Sequence, residues 1–373
     1  MIYLDNSSTT HKKPLSVKLA TLKGVSSLSV NPSRSSHTPA LKGAMKIYET
    51  RERLAEYLGT TAENVIFTSG CTMALNLAIR GTVKNGGHII TTIYEHNSVL
   101  RVLECLKSTH NISVTYLAPN KQGQIAPSEI TKNIKPNTYM VIVNHTSNVT
   151  GATQNIEAIG KVCKKNNLLF LVDGAQSIGH KPINMAKMNI NLLTLAGHKG
   201  LYAPQGIGAL LIYNTKVTPL IYGGTGTQSD KLTQPSEYPD GLESGTPNIV
   251  GILGLNAGLK YVMKHQNKIT KKISNLTNYT IHELNQIKNV NLYASKDAGV
   301  ISIDISGKDS SFVSSTLNEK NGICTRSGLH CAPLVHKFLG TKSKGLTRIS
   351  LSYFNKKSEL KKLILAIKEI ALS

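Results

Sequence analysis

The chain has 373 residues, 40% of them hydrophobic, which is enough for a large core and for two domains rather than one. No run approaches the roughly 20 apolar residues of a membrane helix, and Met1-Ile-Tyr-Leu-Asp5 lacks a basic stretch followed by an apolar one, so a cytoplasmic protein without a membrane partner is expected. The net charge of +22 comes mostly from lysines scattered as singles and pairs, such as 164–165, 271–272 and 361–362, a pattern of solvated helix faces rather than a nucleic-acid footprint. A basic surface of this kind would steer an acidic protein partner into contact. Cys71, Cys105, Cys163, Cys324 and Cys331 are odd in number and widely spaced, so reduced thiols are expected instead of a disulfide framework. A zinc site built from Cys324, His330, Cys331 and His336 fails on ligand spacing, and no metal is expected.

In chain order, short apolar runs at 64–68, 88–92, 113–117, 139–143, 168–172, 192–195 and 208–213 read as strands, with a helix opening at Thr72 after the first. Strands alternating with helical stretches are the rhythm of an α/β layered sheet, whose ligands sit at the carboxyl ends of the strands. From Asn248 the pattern changes. Ile252, Leu253, Leu255, Leu259 and Val262 recur at helical spacing in a connecting helix over 249–264, and a second helix is expected over 269–284. Strands at 290–293 and 300–304 and a terminal helix over 358–371 complete a smaller α+β unit. The expected division is 15–264 for the large domain, with 1–14 and 265–373 forming the small one.

The chemistry gathers at the strand ends. Lys199, in Thr194-Leu-Ala-Gly-His-Lys199-Gly200, follows the apolar run ending in Asp173-Gly-Ala-Gln176 by about two dozen residues. A lysine amine that condenses with an aldehyde, and a carboxylate that keeps a pyridine nitrogen protonated, are what pyridoxal phosphate requires. Thr68-Ser-Gly-Cys-Thr72 ends a strand and opens a helix, where free amides and the Thr72 hydroxyl can cradle a phosphate; residues of this kind are also plain helix caps. His96 follows the strand at 88–92 and can stack on a flat ring and exchange protons; Asn148, past the strand at 139–143, can contact a phenolic oxygen. Arg326-Ser-Gly-Leu-His-Cys331-Ala-Pro places a thiol in a polar, loop-like segment, which suits a nucleophile better than a structural cysteine.

Eight ordered segments together resemble the class V aminotransferase-like family of fold-type I pyridoxal phosphate enzymes, and within it the cysteine desulfurases. They are Tyr3-Leu-Asp-Asn-Ser-Ser-Thr-Thr10, Asn31-Pro-Ser-Arg-Ser-Ser-His37, Glu95-His-Asn-Ser-Val-Leu-Arg101, Ser147-Asn-Val-Thr-Gly151, Val172-Asp-Gly-Ala-Gln176, Gly197-His-Lys199, Glu243-Ser-Gly-Thr-Pro-Asn248 and Arg326-Ser-Gly-Leu-His-Cys331. The resemblance implies an α/β fold with a mostly parallel sheet in the large domain. It makes Lys199 the Schiff-base lysine, Asp173 the partner of the pyridine nitrogen, Gln176 a contact to the phenolic oxygen and His96 the stacking histidine. The phosphate falls to Thr72, the Cys71 amide and His198, completed in a homodimer by Thr225 or Gly226 of the other copy. Arg348 grips the substrate α-carboxylate, with Asn148 and Arg326 beside it, and Cys331 takes the sulfur as a persulfide.

Cys71 stands where a small residue is usual and Met73 where an acidic one is common, but the turn needs only an amide from position 71. Cys331 precedes Arg348 by 17 residues, a short separation resembling the group II, SufS-like branch, which hands sulfur to an acceptor protein in routes such as iron–sulfur cluster biogenesis. In the implied cycle Lys199 removes the Cα proton of L-cysteine, the Cys331 thiolate attacks the substrate sulfur, and alanine leaves; His330 and Arg326 favour the thiolate if they point inward. An L-selenocysteine lyase would share the same residues, another class V reaction such as transamination would not need Cys331, and a retired scaffold would have no use for Lys199, Asp173, His96 and Arg348 together.

Overall fold

A computed structural model describes residues 1–32 and 37–372; positions 33–36 of the Asn31-to-His37 motif lie outside the described residues. Its strands are β1 (Ile2–Tyr3), β2 (Val65–Thr68), β3 (His88–Thr92), β4 (Ser113–Leu117), β5 (Thr138–Asn144), β6 (Leu169–Asp173), β7 (Leu192–Ala196), β8 (Gly208–Ile212), β9 (Val290–Ala294), β10 (Val300–Ile305), β11 (Ile323–Cys324) and β12 (Thr347–Ser350). Seven of them form one sheet in the order β2-β8-β7-β6-β5-β3-β4. β8 pairs antiparallel with both its neighbours and every other pair is parallel, so the carboxyl ends of β2, β3, β4, β5, β6 and β7 share one edge.

β3, β7 and β8 are buried at every residue, as expected of strands covered by helices on both faces. The two faces divide successive residues of β5: Val141 and Val143 join the core that holds Leu54, Leu58, Phe170 and Leu255, whereas Met140 and Ile142 join Leu75, Ile79, Leu103 and Leu106 on the other side.

Helix Ile249–Leu284 is a single element of 36 residues, which corrects the expectation of two helices. The Asn248 side chain caps it by accepting from the Gly251 amide at 2.9 Å. The polar stretch at 265–268 holds neither proline nor glycine, so nothing interrupts the backbone ladder there. The helix runs through position 264 and joins two cores: Ile252, Leu259 and Ile269 pack in the sheet core, Leu276 and Leu284 against β10 and the terminal helix Lys357–Leu372. The second core surrounds the three-stranded antiparallel sheet β12-β10-β9. The amino terminus belongs with it, because β1 pairs with β11 and Leu4 is fully buried among its residues. No helix among the described residues is long and apolar enough to cross a membrane.

Candidate active site

A cavity of about 370 Å³ opens at the shared edge where the parallel strands end. The loop after β7 carries Lys199, and it is held tightly: a Cβ on Gly200 would lie 2.1 Å from the Ile178 carbonyl oxygen. The loop after β2 leads into helix Cys71–Arg80, whose first turn lines the cavity with Cys71 and Thr72. Gly208 of β8 permits this approach, since a Cβ there would meet the Gly70 backbone at 2.7 Å. Asp173 ends β6, Asn148 follows β5, and His96 follows β3 and caps helix Asn97–Thr109. Arg348, on β12, reaches the cavity from the second core.

Lys199, Asp173, Gln176, His198, Thr72, Cys71, His96, Asn148, Arg326 and Arg348 all line this cavity. Cys331 is not on its wall but stands behind Arg326, whose Nη2 donates toward the sulfur at 3.8 Å. The cysteine lies in the left-handed region at φ 57°, and its carbonyl accepts from the Asn97 amide at 2.7 Å. Thr225 lines a different cavity of about 640 Å³, with Ser69, Met73 and Glu243, and Gly226 lines neither.

Desolvation governs the charges. It lowers the Lys199 ammonium below its ordinary 10.5, against the pull of Cys71 and Asp173, which raises the share of neutral amine able to act as a nucleophile. It pulls His96 down to about 4, helped by the Lys199 charge, so the imidazole is neutral at pH 7. His96 Nδ1 accepts from the Ser98 amide at 3.1 Å, which leaves the ring proton on Nε2. Ser98 Oγ lies 2.8 Å from that Nδ1 and 2.8 Å from Thr72 Oγ1, linking two predicted residues through one that sequence reasoning missed.

Cys71 does more than offer an amide. Its sulfur lies 3.5 Å from Asp173 Oδ1 and 3.4 Å from Thr194 Oγ1, and desolvation, followed by the Asp173 charge, pushes the thiol well above its ordinary 9.0. A protonated thiol donates to the carboxylate, and Asp173 Oδ1 also accepts from the Ala175 amide at 2.9 Å.

His330 corrects an expectation. It is buried, its Nε2 donates to the Leu346 carbonyl at 3.1 Å, and burial with the nearby Arg348 charge lowers it to about 2. A neutral ring places no charge beside the Cys331 sulfur, and the charged group in contact with it is the Arg326 guanidinium.

Several buried polar atoms that face this region have no partner among the described residues: Asn148 Oδ1, His198 Nδ1 and Arg348 Nε. Unpaired buried polar atoms are costly, and their convergence here suits a polar ligand. Nearby, Asn148 Nδ2 donates to the His330 carbonyl at 2.7 Å, the His198 carbonyl accepts from Thr10 Oγ1 at 2.9 Å, and Gln176 Nε2 donates to the Ser7 carbonyl at 3.0 Å. Asp5, Ser7 and Ser8 were missed as site residues although they lie in the first recognised motif. The signal was three short polar residues next to a carboxylate, which reads as a turn unless the second core folds it back onto the sheet edge.

A family model for class V aminotransferases matches residues 2–363. A protein of Pyrococcus abyssi described as "Probable cysteine desulfurase" is 32% identical over all of this chain and 95% of its own length. "Cysteine desulfurase IscS" of Buchnera aphidicola subsp. Schizaphis graminum is 34% identical over 78% of this chain and 69% of its own. Among solved structures, the apo cysteine desulfurase of Thermococcus onnurineus NA1 superposes with a TM-score of 0.92 at 32% identity, covering 100% of this chain and 94% of that one. The Escherichia coli cysteine desulfurase CsdA superposes with a TM-score of 0.89 at 26% identity, covering 99% and 94%.

Proposed function

The chain belongs to the class V aminotransferase family, and from that premise we propose that it is a pyridoxal phosphate-dependent cysteine desulfurase that converts L-cysteine to L-alanine and retains the sulfur on Cys331. The observation that carries this reading is the meeting of Lys199, Asp173, His96 and Arg348 at one cavity, with Arg326 set between that cavity and Cys331. The residues fit the cofactor: a desolvated amine, a buried carboxylate, a helix N-terminus with a threonine hydroxyl, and the partnerless atoms Asn148 Oδ1 and His198 Nδ1.

Lys199 would hold the aldehyde carbon, Asp173 the ring nitrogen, His96 the ring face, Gln176 and Asn148 the phenolic oxygen, and Thr72, the Cys71 amide and His198 the phosphate. Bound there, the cofactor supplies an electron sink for the substrate Cα. Lys199 Nζ takes the Cα proton, since desolvation favours its neutral form. Arg348 and Arg326 receive the substrate carboxylate. Cys331 Sγ attacks the substrate sulfur; the new S–S bond forms as the C–S bond breaks, and the carbon keeps the bonding pair and is protonated to alanine. One thiol and one cysteine become one persulfide and one alanine, with no outside oxidant.

The Gly223 to Gly226 segment is read as completing the phosphate site of a second copy, a role supported by Thr225 lining a separate cavity on this chain. The short span from Cys331 to Arg348 supports the group II branch, and the persulfide would pass to a thiol on an acceptor protein. The test is release of sulfide and alanine from L-cysteine with dithiothreitol, by wild type and Cys331→Ala, with the cofactor's visible absorbance recorded. Both proteins should hold the visible band and only the wild type should release sulfide. A wild type that binds cofactor but forms no alanine overturns the assignment.

A further inference from the structure

Ser8 stands at the centre of the charged wall of the cavity. Its hydroxyl oxygen accepts from Arg348 Nη2 at 2.9 Å and from Arg326 Nη1 at 3.0 Å, and donates to Asp5 Oδ1 at 2.8 Å. A serine hydroxyl has one donor and two acceptor positions, and all three are used here. Each guanidinium has a further anchor: Arg348 donates to Asp5 Oδ1 at 2.8 Å and to the Asn148 carbonyl at 3.1 Å, and Arg326 donates toward Cys331 Sγ at 3.8 Å.

Two like charges on one wall repel, and without a shared acceptor the less buried Arg326 would swing toward solvent. We infer that Ser8 is a positioning residue that holds Arg326 and Arg348 together as one fork for the substrate α-carboxylate. This rests on the desulfurase reading for the identity of the substrate; the fork itself rests on the hydrogen bonds. The Asp5 carboxylate sets its charge balance: two guanidiniums against one carboxylate leave one net positive charge facing the cavity, which matches a single carboxylate ligand. Ser8 touches neither the reacting sulfur nor Lys199 in this arrangement, so its removal should weaken capture of the carboxylate and leave the chemistry largely intact.

The experiment compares cofactor-loaded wild type, Ser8→Ala and Ser8→Thr. Calorimetric binding of L-alanine, which carries the carboxylate, is set against binding of ethylamine, which lacks it, and KM and kcat for sulfide release from L-cysteine are measured on the same samples. Losing one hydrogen bond shared between two charged groups should weaken L-alanine binding and raise the KM for cysteine about tenfold, with kcat within about twofold. Ethylamine binding should not change, and threonine, which keeps the hydroxyl, should restore both values. The inference is overturned if Ser8→Ala binds L-alanine as the wild type does, or if L-alanine and ethylamine weaken together. Absence of sulfide release by a wild type that shows the expected L-alanine pattern would overturn the desulfurase reading and leave the carboxylate fork standing.

Discussion

The guanidinium of Arg348 and the carboxylate of Asp5, 343 positions apart in the chain, form an ion pair at 2.8 Å, with the arginine only 1% exposed. A buried arginine is tolerable only when its charge is paired and its donors are used. The pair ties the amino-terminal segment to β12, and so brings Ser7 and Ser8 to the sheet edge where Lys199 waits.

Replacing Asp5 with alanine should therefore cost about 3 kcal/mol, because it strands a buried guanidinium. Asp5→Asn keeps an acceptor oxygen and should cost less. Urea unfolding of the two variants measures the difference, and equal losses would show that the charge of Asp5, which both variants remove, carries the whole effect and the retained acceptor oxygen contributes little.

Gly200→Ala should be the most damaging small substitution near the site. The added carbon would lie 2.1 Å from a backbone oxygen that cannot rotate away, so the loop bearing Lys199 has to shift. A loss of about 3 kcal/mol is expected, together with weaker cofactor retention read from visible absorbance after gel filtration.

Acid should destabilise the protein through its histidines. Burial lowers His96, His145, His180 and His198 to about 4 from an ordinary 6.5. Between these values the unfolded chain binds protons that the folded chain refuses, so stability falls as pH drops from 6.5 toward 4. Denaturation midpoints at pH 7 and pH 5 test this, and a midpoint that does not fall at pH 5 would contradict it.

Glu95 titrates in the opposite sense. Fully buried, with Oε1 accepting from Thr92 Oγ1 at 2.7 Å and the Asn144 amide at 2.9 Å, it has no partner for Oε2 among the described residues, and burial raises its carboxyl to about 8. The folded state keeps this proton where the unfolded state loses it, so its contribution is full below 4.5 and is lost as pH rises through 8. Glu95→Gln removes the titration, and its stability relative to wild type should improve steadily from pH 5 to pH 8.5.

Cys71 should resist alkylation in the folded protein at pH 8, because the thiolate is the reactive form and this thiol is held protonated against Asp173. Iodoacetamide labelling followed by mass spectrometry should find Cys71 modified only after unfolding. Labelling as fast as in the unfolded chain would contradict the packing described for it.

Most of the large sheet was legible because its strands are local signals: an unbroken apolar run such as 168–172 supplies the largely buried strand β6. The long helix was not, since the polar stretch at 265–268 resembles a linker until Ile269 and Ile273 are seen to enter the sheet core. Lys199, Asp173 and Thr72 could be read as a set because each sits at or just past the end of a strand in the same sheet, where the carboxyl ends of parallel strands meet.

By itself, then, the sequence determined which residue types stand at the strand ends, because periodicity and local turn chemistry act over a few residues. Only the tertiary structure decided which charges survive there. His330 is neutral because β12 and its neighbours bury it, and Cys71 is a donor because Asp173 lies across from it. Ser8 holds two arginines because the amino terminus pairs with β11, more than 300 residues away. Desolvation and hydrogen-bond partnership depend on what packs around an atom, and no spacing rule along the chain carries that information.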